Sequence, residues 1–94
     1  MRERLCVGDI VRHFKRETVE PTKGNMYLYN ILAIATHTDT KEKLVIYQAL
    51  YSDSGTGVNF GIFARPYDMF MSKVDKEKYP EIKQEYRFEK FVSE

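Results

Sequence analysis

Five side chains in this 94-residue sequence have the types and placement to do chemistry: His37, Tyr47, Gln48, Tyr51 and Arg65. Gln48 stands inside an otherwise apolar run, Leu44-Val45-Ile46-Tyr47-Gln48-Ala49-Leu50-Tyr51. A primary amide there needs backbone, side chain, water or ligand to satisfy its donors and acceptors. Internal satisfaction, or a place on the rim, is the simpler reading, and a ligand contact is the functional one. Arg65 precedes Pro66 at the end of a short apolar run. Its planar guanidinium suits a carboxylate or phosphate, while an ion pair with Asp68 or another acid is the plainer alternative.

His37 could serve as a general base if Glu42 oriented it across a turn, since a carboxylate partner fixes the tautomer and raises basicity. No nucleophile stands beside it, so a surface turn histidine is the simpler account. Cys6 with His13 or His37 makes a formal nucleophile and base. However, Cys6 lies in the N-terminal arm, near no helix start that would activate a thiol, and reads as incidental. Two histidines without paired spacing do not make a metal site, and no cofactor is expected. Ser54-Gly55-Thr56-Gly57 lacks the lysine and following helix of a phosphate loop, and reads as a flexible hairpin connection. Tyr27, Tyr29, Tyr47, Tyr51 and Tyr67 come from runs that would adjoin in a small β domain. Exposed rings there can grip peptides or stack bases, although a domain this small also needs aromatics to fill its core.

The elements that must position these residues are short strands. Glu42 to Tyr51 is rich in β-branched and aromatic residues and stops at Ser52-Asp53-Ser54-Gly55, which predicts a strand covered on both faces. Met26 to Thr36 is a second apolar run, and His37-Thr38-Asp39-Thr40-Lys41 between the two has the residues of a hairpin turn. Centring that turn on Asp39 and Thr40 pairs His37 with Glu42, Ile34 with Val45, Leu32 with Tyr47 and Ile31 with Gln48. Slippage by one residue would reverse every face.

Ile10 to Phe14 predicts a first strand, with Ile10, Arg12 and Phe14 on one face and Val11 and His13 on the other. Lys15 to Asn25, with Pro21 and Gly24, reads as a loop. Asn59 to Arg65 is a shorter strand in which Gly61 marks a bulge or bend. Pro66 to Phe70 predicts one helical turn, with proline where its missing donor costs little. A brief strand through Met71 to Val74 follows. Asp75 to Glu85 reads as a short helix broken by Pro80 or a surface loop, and Tyr86 to Phe91 as an edge strand.

Together these predict a mainly β domain, a small antiparallel SH3-like barrel of five or six strands with a short helical turn. One domain is expected over residues 1–94, with a barrel core at about 8–74 and a C-terminal extension at 75–94.

Three blocks in order, His37-Thr38-Asp39-Thr40, Val45-Ile46-Tyr47-Gln48-Ala49-Leu50-Tyr51 and Ala64-Arg65-Pro66-Tyr67-Asp68-Met69-Phe70, make the chain resemble DUF1653, a family of short bacterial proteins of unknown function. The resemblance covers roughly Gly8 to Val74. Phe63-Ala64 stands where the family pattern carries Trp-Val, which makes any stacking site smaller. The resemblance implies no reaction, cofactor or catalytic residue.

Composition bounds the function. Hydrophobic residues make up 43% and charged residues 31%, with seven Tyr and six Phe and a net charge of +1. Met1 to Arg16 carries five bases against two acids, and the rest ten bases against twelve acids, so no whole-protein nucleic-acid footprint exists. A single cysteine permits no internal disulfide and fits a reducing compartment. No apolar run suits a signal peptide or a membrane span, so a cytoplasmic location is expected.

The reading best supported is a non-catalytic binding module in which Tyr47, Gln48, Tyr51, Arg65 and His37 border a site for a protein segment or small polar or anionic ligand. The alternatives are an enzyme or enzyme subunit acting on a small anionic substrate, with His37 as base and Arg65 as anion clamp, and a binder of single-stranded nucleic acid.

Overall fold

The computed structural model describes residues 4–19, 24–55 and 57–92. Strand β1 spans Ile10–His13, a 3-10 helix Phe14–Thr18, β2 Leu28–Thr36, β3 Lys43–Ala49, β4 Ser52–Asp53, β5 Val58–Asn59, β6 Ile62–Pro66, helix α1 Tyr67–Phe70 and β7 Phe88–Lys90. Five of these strands form one antiparallel sheet in the order β6-β3-β2-β1-β7, and β4 pairs with β5 in a small hairpin. The mainly β antiparallel fold with a short helical turn forms as expected, but the sheet is not closed: β6 and β7 are its two edges among the described residues. Pro21 and Thr56, named above in loops, lie outside the described residues.

The long hairpin forms as its turn residues predict, with a change of phase part-way along. Near the turn, Thr36 pairs with Lys43, Ala35 with Leu44, Ile34 with Val45 and Ala33 with Ile46, which is the expected register. Beyond it, Ile31 pairs with Tyr47, Asn30 with Gln48 and Tyr29 with Ala49, one residue away from expectation. The shift falls between Ile31 and Ala33 and leaves Leu32 as the extra residue of a β-bulge. A bulge reverses which side chains face the core, because the side-chain period is two. Ile31 and Tyr29 thereby turn to the face that carries Val45, Tyr47 and Ala49, and all five are buried.

β3 is covered on one face rather than two. Val45, Tyr47 and Ala49 are buried, whereas Leu44, Ile46 and Gln48 are half-exposed on the reverse face. The main core fills the concave face with Val11, Tyr29, Ile31, Tyr47, Tyr51, Phe70 and Phe88. Phe70 comes from α1, where Pro66 is the N-cap, and it stacks on Phe88 with centroids 4.0 Å apart. A smaller cluster of Phe14, Val74 and Ile82 lies alongside, with Tyr79 against it.

Two further segments depart from expectation. Phe14 to Thr18 is a 3-10 helix rather than strand and loop, because His13 Nδ1 accepts the Lys15 amide and caps its start. Residues 75–85 take the loop alternative expected for them and hold no helix. Their backbone is tied by side chains instead: the Asp75 carboxylate accepts the Glu77 amide, and both Glu17 carboxylate oxygens accept amides, from Lys83 at 2.9 Å and Gln84 at 2.7 Å. The strand expected at 71–74 is reduced to a single bridge, Lys73 to Tyr86. The edge strand expected near the C-terminal end forms as β7 and pairs with β1.

Among the described residues, no helix is long and apolar enough to cross a membrane.

Phe88 is about 1% exposed and meets the rings of His13, Tyr29, Tyr47 and Phe70. Phe88→Ala therefore opens a cavity at the centre of the core and is expected to cost about 3–5 kcal/mol. Urea unfolding of the variant measures this, and a loss below about 1 kcal/mol would show that the ring is not central.

Candidate functional site

The concave face ends, toward the β6 edge, in a recess of about 240 Å³ lined by Tyr27, Tyr29, Tyr47, Tyr51, Val58, Phe63 and Arg65. Register builds it. Tyr47 pairs with Phe63 and Val45 with Arg65 across β3 and β6, so Phe63 and Arg65 share the inward face with Tyr47. The bulge at Leu32 adds Tyr29 from β2. Gly61 leaves room for Phe63: a Cβ there would lie 3.2 Å from the end of the Phe63 ring.

The rings meet edge to face: Tyr29 on Tyr47 at 5.3 Å, and Tyr29 on Tyr51 at 5.8 Å. Tyr29 and Tyr51 share a buried hydroxyl hydrogen bond of 2.9 Å. Burial, followed by that hydrogen bond, pushes the Tyr29 phenol above its ordinary value. Burial also raises Tyr51. Both phenols are therefore neutral at physiological pH.

Among the described residues, Arg65 is the one charged side chain that lines the recess. Its Nε donates to Tyr47 Oη at 3.2 Å, and its guanidinium carbon lies 5.8 Å from the centre of the Phe88 ring. It makes no ion pair with Asp68 or any other acid among the described residues, which leaves the two terminal nitrogens without a carboxylate. Arg12, by contrast, is paired with Glu89 at 3.0 Å. A half-buried guanidinium among neutral rings makes the recess electropositive and supplies planar donors for an anion.

His13 stands next to this field. Its ring packs on Phe14, Tyr27 and Phe88. Burial first, then the charges of Arg65, Arg87 and Lys15, drive its pKa down to about 3. The imidazole is thus neutral, as its acceptance of the Lys15 amide through Nδ1 requires.

The structure brings Tyr47, Tyr51 and Arg65 together and separates the other two candidates from them. Gln48 points to the reverse face, where its Nε2 donates to the Phe60 carbonyl at 3.0 Å. That bond fixes Phe60, whose φ of 50° is the left-handed region that costs a bulky residue most. His37 sits at the hairpin turn, where Nδ1 accepts the amides of Asp39 at 3.1 Å and Thr40 at 3.3 Å, and it does not line the recess. It is a capping acceptor for the turn. Tyr67 borders a different depression, beside Glu42, Lys43 and Pro66. Among the described residues, no three His, Cys, Asp or Glu side chains cluster as metal ligands would. Sequence reasoning placed neither Val58 nor Phe63 in the site. Phe63 was findable, because it lies two residues before Arg65 on one strand and so shares its face.

The fold and recess define a small open-sheet β domain with an aromatic cleft at one edge. The chain belongs to the DUF1653 family, described as a protein of unknown function, whose model matches residues 9–90. The match runs past Val74, where the resemblance read from the motifs ended, and takes in β7. No curated protein and no solved structure matches the chain.

Because the folded pKa of His13 lies below that of a free imidazole, the unfolded chain binds a proton that the folded one does not between pH about 6.5 and about 3. Stability from this residue is complete above pH about 6.5 and falls as pH drops through that window, by at most about 1.4 kcal/mol per pH unit. His13→Asn keeps an acceptor for the Lys15 amide without the titration. Unfolding free energies at pH 7 and pH 5 should converge for this variant and diverge for the natural protein. Equal pH slopes would overturn the assignment.

Proposed function

We propose that the protein is a non-catalytic binding module whose tyrosine recess takes an apolar or aromatic group while Arg65 receives a carboxylate attached to it. The observation that carries this reading is the guanidinium of Arg65, half-buried among neutral aromatic rings, hydrogen-bonded to one phenol and paired with no acid among the described residues. Partial burial of an unpaired cation is costly, and an incoming anion offsets that cost where geometry allows two parallel hydrogen bonds. Neutral phenols alongside supply further donors, and rings supply apolar contact.

The same geometry weighs against the other readings. An enzyme acting through His37 and Arg65 needs both in one cavity, whereas His37 is committed to the turn amides and absent from the recess lining. Base stacking needs open ring faces, whereas Tyr29, Tyr47 and Tyr51 are all under a tenth exposed and pack against one another.

Phenylpropionate, a ring bearing one carboxylate, is the test ligand, with phenylpropanol as its neutral counterpart. Titration followed by amide and side-chain NMR should move signals of Tyr51, Phe63 and Arg65. Arg65→Gln should weaken phenylpropionate roughly tenfold, the scale of a lost charge-assisted hydrogen bond, and leave phenylpropanol unchanged. Gln48→Ala, on the opposite face, is the control. No shifts in the recess, or an unaltered affinity in a folded Arg65→Gln protein, would sink the proposal.

A further inference from the structure

β6 supplies Phe63 and Arg65 to the recess, and among the described residues it is an edge of the sheet. In its register with β3, Ala49 donates to the Gly61 carbonyl at 2.9 Å, and Tyr47 pairs with Phe63 and Val45 with Arg65. Hydrogen-bonded and non-bonded pairs alternate in an antiparallel ladder. Gly61, Phe63 and Arg65 therefore direct their backbone groups to β3, while the N–H and C=O of Ile62 and Ala64 point away from the sheet.

Edges of this kind are ordinarily blunted by charge, and the other edge of the sheet is. On β7, the Glu89 carboxylate accepts the backbone amides of Glu85 and Tyr86 and pairs with Arg12. β6 carries no carboxylate, and its one charge, Arg65, faces inward: Ile62 is 61% exposed, Ala64 is exposed, and Phe60 and Phe63 add apolar surface beside them. Only Pro66, which has no N–H, limits how far a ladder could extend.

Resting on the binding reading above, we infer that the occupant is an extended segment of another protein, which adds antiparallel to β6 through Ile62 and Ala64 and carries an acid and an apolar residue two positions apart. Side chains of an added strand recur on one face every second residue. The residue opposite Arg65 presents its carboxylate to the guanidinium, and the residue opposite Phe63 enters the tyrosine recess. The residue between them lies opposite Ala64 and exchanges both backbone hydrogen bonds with it. Antiparallel direction puts the acid first, giving the order acid, any residue, apolar. A second copy of this chain fits less well. Pairing β6 with itself through Ile62 and Ala64 sets Gly61 opposite Arg65 and brings no acid to it, so charge complementarity selects a partner with a carboxylate.

The probe is a capped heptapeptide, acetyl-Thr-Thr-Glu-Thr-Phe-Thr-Thr-amide, titrated into the full chain and followed by amide NMR. Three relatives accompany it: one with Gln for Glu, one with Glu and Phe adjacent, and one N-methylated at the central Thr. The parent should shift the Ile62 and Ala64 amides, and each relative should bind at least tenfold more weakly. If the N-methylated peptide binds as well as the parent while phenylpropionate still responds to Arg65→Gln, strand addition is overturned and the recess reading stands. If phenylpropionate shows no recess shifts either, both fall. Concentration-dependent dimerisation that protects the Ile62 amide in the absence of peptide would also overturn the inference, in favour of a second copy.

Discussion

One extra residue governs this structure. Without the bulge at Leu32, the hairpin would run in a single register and Ile31 would lie opposite Gln48, facing away from the core. With it, the N-terminal half of β2 rotates by one side-chain step, and Tyr29 joins Tyr47, Tyr51 and Phe63 on the concave face. The core and the recess both depend on this change of phase. The Tyr29–Tyr51 hydroxyl bond, the contact of Tyr29 with Phe88 and the second wall of the recess could not exist in the unbroken register.

Much of the framework is legible in the residues because local signals agree there. The turn at His37 to Lys41, the helical turn after Pro66 and the strand near Phe88 each combine a breaker with a hydrophobic pattern, and each forms. The turn-proximal half of the hairpin register follows from the loop length. The bulge does not, since Leu32 sits within Ile31-Leu32-Ala33-Ile34-Ala35, with no glycine or polar residue next to it. Closure of the sheet is equally invisible, because it depends on whether two edges distant in sequence meet.

The candidate site divides along the same line. Alternation along single strands is enough to place Phe63 with Arg65, and Tyr47 apart from Gln48. What Gln48 and His37 do could not be read from type, because both act on backbone groups: Gln48 holds the carbonyl of Phe60, and His37 holds the amides of its own turn. Residues with chemistry to offer are often spent on satisfying buried or strained main chain, and only coordinates show which. Arg65 is the exception, a charged group whose partner among the described residues is a phenol instead of an acid.

The grip of Glu17 on the amides of Lys83 and Gln84, together with the pairing of β1 with β7, joins the two ends of the sequence. Contacts separated by more than sixty residues delay folding, since a large loop must close before they repay its entropy. During synthesis, β1 and the aromatic face it helps to cover wait for Phe88 to leave the ribosome. Until then one flank of the nascent sheet is bare and exposed to aggregation and to chaperones.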